Sequence, residues 1–373
     1  MQRDVIIVGG GPAGLSLASN IRNLDVIVFE EHSRVGFPKH CAGIVGCETA
    51  EIITSTISSK TIDHKYRNIL FKAPNYTVKL IFKREVAFHV NRPLLEEALA
   101  SKVEALGHRV VLNTRARPLT WGKILARGDI FKCRYLVVAD GANSLFRRVL
   151  VNEKQCFLMG LQLRARVKGL DKDTLYIIYT SSLPEFFAWI IPLEEEALIG
   201  VASRDPMRAQ RALQYLQRHL KISVENIYEK FGGLLPLHKP LKSPVFGGQL
   251  VFHGDSVPLV KPYTGGGLYY IFKLTPILAR YLEEYKLEDY NMFYTKLFYA
   301  KTILERISVE FLRNSNQYSL PVKVVNWLKI LGFLQRKDFD NHYSLLLKLV
   351  GTIPIIGVLA LSDIFKTLYN VLS

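Results

Sequence analysis

A chain of 373 residues can bury more than one domain's core, and 49% hydrophobic with 22% charged residues are globular values, against a disordered chain. The four cysteines, Cys41, Cys47, Cys133 and Cys156, show neither C-x-x-C nor zinc spacing, so no disulfide scaffold and no metal is expected; Cys133 and Cys156 read as buried apolar thiols. The formal net charge of +16 calls for an anionic membrane surface or a solvated basic face. The basic residues form no recognisable nucleic-acid-binding motif, and no nucleic acid is expected as partner.

The first thirty residues carry the clearest pattern. Residues 5–8 are an apolar, β-branched run that suits a buried parallel strand. Gly9, Gly11 and Gly14 follow as G-x-G-x-x-G, residues 15–21 continue at helical spacing, and residues 26–29 form a second buried strand that ends in Glu30, with Glu30 and Glu31 both expected at the cofactor. A dinucleotide site needs these parts in this order. Gly9 allows the tight turn, Gly11 lets the backbone approach a pyrophosphate, and Gly14 lets helix pack on strand. Pro12 and Ala13 open the helix, whose free N–H groups and positive dipole end suit phosphate. Glu30 suits the hydroxyls of an adenosine ribose. With a strand starting this close to Met1, no leader is expected, and the expected location is the cytoplasm.

Residues 31–46 are rich in turn formers and read as an irregular loop over the cofactor. Residues 48–84 alternate weakly, as short strands, and residues 85–90 form another. Asn91 reads as an N-cap with Pro93 in the first turn of the helix that follows. Residues 110–112 and 131–139 return to the sheet, the latter ending at Asp140 and Gly141. From residue 156 the pattern changes. Residues 156–167, 174–180, 186–191 and 197–203 are strand-like and separated by turns, which makes an antiparallel sheet and not a βαβ unit. A helix runs from Pro206 to about residue 220. Residues 250–255 are a buried strand ending in Gly254 and Asp255. Gly265, Gly266 and Gly267 then open a helix at Leu268, with a kink at Pro276. Residues 287–373 read as helices. Among them, residues 344–361 are mostly apolar but include Lys348 and Pro354, which suits a monotopic helix, a cover over an apolar site or a core helix better than a membrane span.

Four stretches in order resemble the flavoprotein superfamily of para-hydroxybenzoate hydroxylase over residues 1–285. They are the glycine turn with Glu30; Asn91-Arg92 at a helix start; Ala139-Asp140-Gly141 with Ser144 and Arg147; and Gly254-Asp255 followed by Pro262 and the three glycines. The resemblance implies FAD as cofactor. It implies Arg92 as a cation near the pyrophosphate, Asp140 and Gly141 flanking the cofactor, and Asp255 as the carboxylate for the ribityl hydroxyls. The glycines at 265–267 let the backbone approach the isoalloxazine, and the helix beginning at Leu268 stabilises the negative charge of reduced flavin.

Two further stretches narrow the resemblance. Pro38-x-x-Cys41-Ala42-Gly43 is similar to the P-x-x-C-x-G loop of the geranylgeranyl reductase family. Phe187, Trp189 and Pro192, followed by Gly200, are similar to that family's Y-x-W-x-F-P…G-x-G lipid motif, with Phe187, Ile191 and Ala202 in place of Tyr, Phe and Gly. The resemblance implies FAD-dependent saturation of isoprenoid double bonds in membrane lipids or prenyl diphosphate precursors. Phe187, Trp189, Pro192 and Gly200 then line the lipid site. Cys41, on the loop expected near the flavin, and the adjacent His40 are the candidate proton donors, and Cys41 is equally suited to packing within the loop.

The expected architecture is α/β, α+β overall. A Rossmann-like FAD domain of the glutathione-reductase type spans residues 1–150 and 246–290. An antiparallel substrate-binding sheet occupies 151–245, and a helical region covers 291–373. No second G-x-G-x-x-G and no separate nicotinamide domain is visible, so NAD(P)H or a ferredoxin-like carrier is expected to deliver electrons transiently. Peripheral contact with the cytoplasmic membrane face is expected. The alternatives are an FAD-dependent monooxygenase, of hydroxylase or epoxidase type, on an apolar substrate, and a non-catalytic lipid-binding flavoprotein.

Overall fold

The strands Arg109–Val111, Val26–Phe29, Gln2–Val8, Asp129–Val138 and Leu250–Phe252 lie in that order, each parallel to the next. In this computed structural model the described residues are 2–153, 155–219, 223–236, 238–314 and 318–359. The chain forms two compact units: residues 1–64, 88–160 and 231–302, and residues 65–87, 161–230 and 303–373.

The parallel sheet is the heart of the first unit. Val5, Ile6, Ile7, Leu136, Val137, Val138, Leu250 and Val251 are fully buried, as continuous apolar runs must be when both faces of a parallel sheet are covered. The helix Pro12–Ala18 packs against the helices Arg92–Ala105 and Leu268–Glu283. Asn91 caps the second of these, its side-chain oxygen accepting from Leu94 N at 3.4 Å, with Pro93 in the first turn. A hairpin, Arg117–Thr120 and Lys123–Ala126, lies antiparallel on the first half of Asp129–Val138.

Residues 48–84 are not all short strands. Cys47–Thr56 is a helix, burying Cys47, Ala50 and Ile53; that three-residue spacing is helical, and the isoleucine pair 52–53 masks it. Cys156 is exposed, not buried. It precedes the strand Phe157–Lys168, and its amide nitrogen and carbonyl oxygen lie 3.1 and 2.8 Å from His238 Nδ1.

The second unit is built on a seven-stranded sheet in the order 223–236, 157–168, 196–203, 188–192, 174–178, 68–73, 76–81. The pairs Thr174–Ile178 with Ala188–Pro192 and Ala188–Pro192 with Glu196–Ser203 are antiparallel, as expected. The hairpin Asn68–Ala73 and Tyr76–Ile81 joins the edge by a parallel pairing of Tyr176 with Leu70. Alternation along the chain cannot reveal such a long-range partner. Helix Pro206–His219 covers one face, where Ala209, Ala212, Leu213 and Leu216 meet Ala188, Ile190, Ile199 and Val201. Ala300–Asn314, Leu320–Ile330 and His342–Leu359 are helical. Among the described residues no helix is long and apolar enough to cross a membrane. Residues 360–361 of the apolar stretch, like the rest of the chain's end, lie outside the described residues.

Candidate functional site

Register brings the motifs to one edge. Val8 pairs with Phe29 and Val138, and Val138 pairs with Phe252. The residues just beyond these strand ends, Gly9, Glu30, Asp140 and Gly254-Asp255, therefore emerge together. They do so at the C-terminal edge of the sheet, on both sides of the strand where the order reverses, the place where open α/β sheets bind ligands.

The glycine turn divides by role. Gly9 has φ +107°, and a Cβ there would strike the carbonyl of Ala139; a Cβ at Gly14 would strike the carbonyl oxygen of Gly9 and sit 3.1 Å from Ile7 Cγ2. Both are fixed by the protein's own packing. A Cβ at Gly11 would meet no atom within 4 Å, so its backbone faces open space beside the helix N-terminus. Glu30 braces the turn: its Oε2 accepts from Gly10 N at 2.6 Å and its Oε1 from His32 N at 2.9 Å. Glu31 stands apart, in a surface pair with Arg115 at 3.4 Å.

Across the sheet, Asp140 accepts from Phe146 N at 3.3 Å, yet its Oδ1 is buried with no hydrogen-bond partner. Burial pushes this carboxyl up to about 6, against the hydrogen bonds from Ser144 and Phe146. Next to it, Gly141 also leaves its side open within 4 Å. An orphaned acceptor between two open stretches of backbone fits a bound dinucleotide, which supplies hydroxyl donors and a pyrophosphate.

Asp255 lies against the third motif: a Cβ on Gly267 would come within 2.8 Å of its Oδ1. Gly254 is pressed on the first helix, 2.6 Å from Ala13 Cβ by the same construction. Gly265 N donates to Lys261 O at 2.8 Å, and Gly266 O accepts from Lys261 N at 3.1 Å. Leu268 begins the long helix behind them and is buried. Burial pushes the Asp255 carboxyl up, and the Arg92 guanidinium pulls it back.

Arg92 feels the charges of both Asp255 and Cys41. Its Nε donates to Glu96 Oε1 at 2.9 Å. Burial opposes its charge, but Glu96, Cys41 and Asp255 around it hold it more firmly protonated than an ordinary arginine. Gly43 N donates to Cys41 Sγ at 3.4 Å, and Val90 N donates to Gly43 O at 2.7 Å. Gly43 has φ +70°, and a Cβ there would sit 3.1 Å from His89 Nε2. His89 Nδ1 is in turn hydrogen-bonded with Asp63. Ala42 lies between the two anchored residues. His40 is exposed, and its Nδ1 is 3.1 Å from Gly232 O. A carbonyl only accepts, so Nδ1 carries the hydrogen, and Nε2 donates only in the imidazolium form.

In the second unit, Trp189 and Gly200 are opposed in register. A Cβ on Gly200 would collide with the indole, and Trp189 Nε1 donates to Gln162 Oε1 at 3.0 Å. Phe187 sits edge-on to Trp189, ring centroids 6.2 Å apart, and stacks on Phe186 at 4.2 Å. By the two-residue period Trp189, Gly200 and Gln162 lie on the face opposite the Pro206–His219 helix. Pro192 alternates onto the other face, and its carbonyl accepts from Tyr66 OH at 2.6 Å.

Sequence reasoning did not single out Glu96, the Asp63–His89 pair or Lys261. Glu96 had a visible signal, four residues after Arg92 on one helix. The Asp63–His89 pair is brought together from positions distant along the chain, whereas Lys261 is bonded to its near neighbours Gly265 and Gly266.

The family described as lycopene cyclase protein matches residues 4–312. The chain belongs to this family. It is 26% identical over 292 residues to the digeranylgeranylglycerophospholipid reductase of Methanoculleus marisnigri, covering 71% of this chain and 72% of that protein. In fold it is similar to a geranylgeranyl bacteriochlorophyll reductase-like protein from Thermoplasma acidophilum, with TM-score 0.74, 20% identity and coverage of 84% and 88%. It is also similar to PqsL, a probable FAD-dependent monooxygenase from Pseudomonas aeruginosa, with TM-score 0.65, 16% identity and coverage of 84% and 96%. The resemblance to geranylgeranyl reductases is borne out by these relatives. The cofactor is FAD, and the chain is an FAD-dependent oxidoreductase.

Proposed function

We propose that the protein saturates isoprenoid double bonds of membrane lipids or their prenyl precursors. The observation that carries this reading is the Trp189–Gly200 pair, with Phe187 beside it and Gln162 holding the indole. It gives the lipid motif of the resembled reductases a physical form, an aromatic surface kept in place by a missing side chain. The digeranylgeranyl lipid named for the Methanoculleus relative supports the same substrate class.

FAD, when bound and reduced, supplies the hydride. Gly11 and Gly141 leave room for the pyrophosphate and its neighbours, Glu30 braces the turn, and Asp255 and Asp140 accept hydroxyl hydrogens. An isolated alkene is a poor hydride acceptor, so the protein must hold it dry and oriented and deliver a proton to the second carbon. We assign Cys41 as that donor ahead of His40, because the His40 hydrogen on Nδ1 is engaged by Gly232. Electrons reach the flavin from NAD(P)H or a ferredoxin-like carrier, and the enzyme works at the cytoplasmic membrane face.

A second reading follows from the family name: a cyclase closes rings without changing substrate mass. Anaerobic turnover of a geranylgeranyl lipid with dithionite as reductant, followed by product mass, separates the readings. Saturation adds two hydrogens per bond, cyclisation adds nothing, and monooxygenation in air adds oxygen. Unchanged lipid under all conditions would leave a lipid-binding flavoprotein.

A further inference from the structure

We propose that the second unit seats on an anionic lipid bilayer through one amphiphilic patch, made by the end of the strand Tyr76–Ile81 and the outer face of the helix Leu320–Ile330. This rests on the reading of a membrane-lipid substrate and names the surface that meets the membrane.

The patch has an apolar centre. Ile81 is 75% exposed, Ile330 74% and Trp327 39%. Scattered exposed apolar residues need no explanation, but these three lie on two elements that are tied to each other. Asn326 Nδ2 donates to Tyr76 OH at 2.8 Å and Lys329 Nζ to Lys79 O at 3.0 Å. Arg336 Nε donates to Glu85 O at 2.6 Å, just after the same strand. Helix and strand end therefore form one surface. On the helix, Lys323, Trp327 and Ile330 follow each other at spacings that share a face, while Val322 and Leu328 are buried on the other side.

The rim is cationic. Lys83, Arg84 and Lys323 are exposed, and among the described residues none of them is in an ion pair. Residues 65–84 carry Lys65, Arg67, Lys72, Lys79, Lys83 and Arg84 and no acidic side chain. Aliphatic side chains and a tryptophan beside free cations suit the headgroup level of an anionic bilayer. A second copy is a poorer occupant, because an isologous contact would set these cations against themselves.

The test uses the full-length, FAD-loaded chain and sedimentation with phosphatidylcholine vesicles, with and without phosphatidylglycerol. Binding should require phosphatidylglycerol and weaken with salt, since the Debye length falls from about 10 Å at 0.1 M to about 3 Å at 1 M. Replacing Lys83, Arg84 and Lys323 by Ala should weaken binding about fivefold per cation, the factor equivalent to about 1 kcal/mol each. Ile81→Ser with Ile330→Ser should also weaken it, and both positions are too exposed to disturb folding. The same variants should reduce detergent-dispersed lipid at the wild-type rate and vesicle-embedded lipid more slowly. Wild-type protein that ignores anionic vesicles, or variants that bind as well as wild type, would overturn the patch. A dimer in sedimentation equilibrium that Ile330→Ser dissolves would assign the face to a second copy instead. Vesicle binding that follows these rules with no reduction of dispersed lipid would uphold the patch and reject the lipid-reductase reading.

Discussion

Trp189 occupies the space that a side chain at Gly200, its register partner on the next antiparallel strand, would take. The glycine is needed for close approach, and the indole is then locked by Gln162. Gly200→Ala should displace the ring, at the overpacking cost of about 1–3 kcal/mol, and lower lipid turnover while leaving flavin content unchanged. Urea unfolding and the flavin spectrum of the same preparation report both. An unchanged unfolding midpoint would mean that the indole has room to move.

The two ends of the glycine turn should fail differently. Gly11→Val points into open space, so the apoprotein should unfold at the wild-type midpoint and yet purify without FAD. Gly14→Ala collides with the Gly9 carbonyl and should destabilise the apoprotein itself. Flavin absorbance together with apoprotein unfolding distinguishes the cases. A flavin-replete Gly11→Val protein would remove this site for the pyrophosphate.

Asp140 gives a pH signature. Burial raises its carboxyl in the folded state to about 6 from an ordinary 3.8, so between these values the folded state binds more protons than the unfolded state. Its contribution is fully present below about pH 3.8 and is lost as pH rises through about 6, at no more than about 1.4 kcal/mol per pH unit. Asp140→Asn should therefore flatten the apoprotein's stability profile between about pH 4 and 6. Denaturant unfolding across that range is the measurement, and equal slopes in both proteins would contradict it.

Cys41 should act as the proton donor. General acid catalysis is worth about 10²–10⁴-fold, so Cys41→Ala should slow alkene reduction by that order while dithionite reduces the flavin as before. Cys41→Ser keeping most of the rate would indicate a packing role. Single-turnover kinetics with pre-reduced enzyme isolate the step.

Much of the cofactor edge was legible because its parts are local. The run 5–14 with Glu30, the Asn91 cap and the glycines at 265–267 each state their geometry within a few neighbours. What joins them is register, and register explains why Asp140 and Asp255 arrive beside Gly9. The parallel pairing of Tyr176 with Leu70 and the strand Ser223–Pro236, largely exposed or half-buried along its length, left no local pattern to read. Pro192 shows the limit of motif reading: it belongs to the resembled lipid motif, but the strand's alternation turns it away from Trp189. Cys156 shows another: it is exposed, and its backbone contact is with His238, far along the chain.

Saturation of an isoprenoid bond by reduced flavin is tested by counting electrons against bonds. Enzyme carrying fully reduced FAD is mixed, without oxygen or further reductant, with one equivalent of a geranylgeranyl lipid, while flavin absorbance and product mass are followed together. The flavin should reoxidise in step with the lipid, one double bond saturated and two hydrogens gained per flavin. A product of unchanged mass over flavin that stays reduced would contradict it.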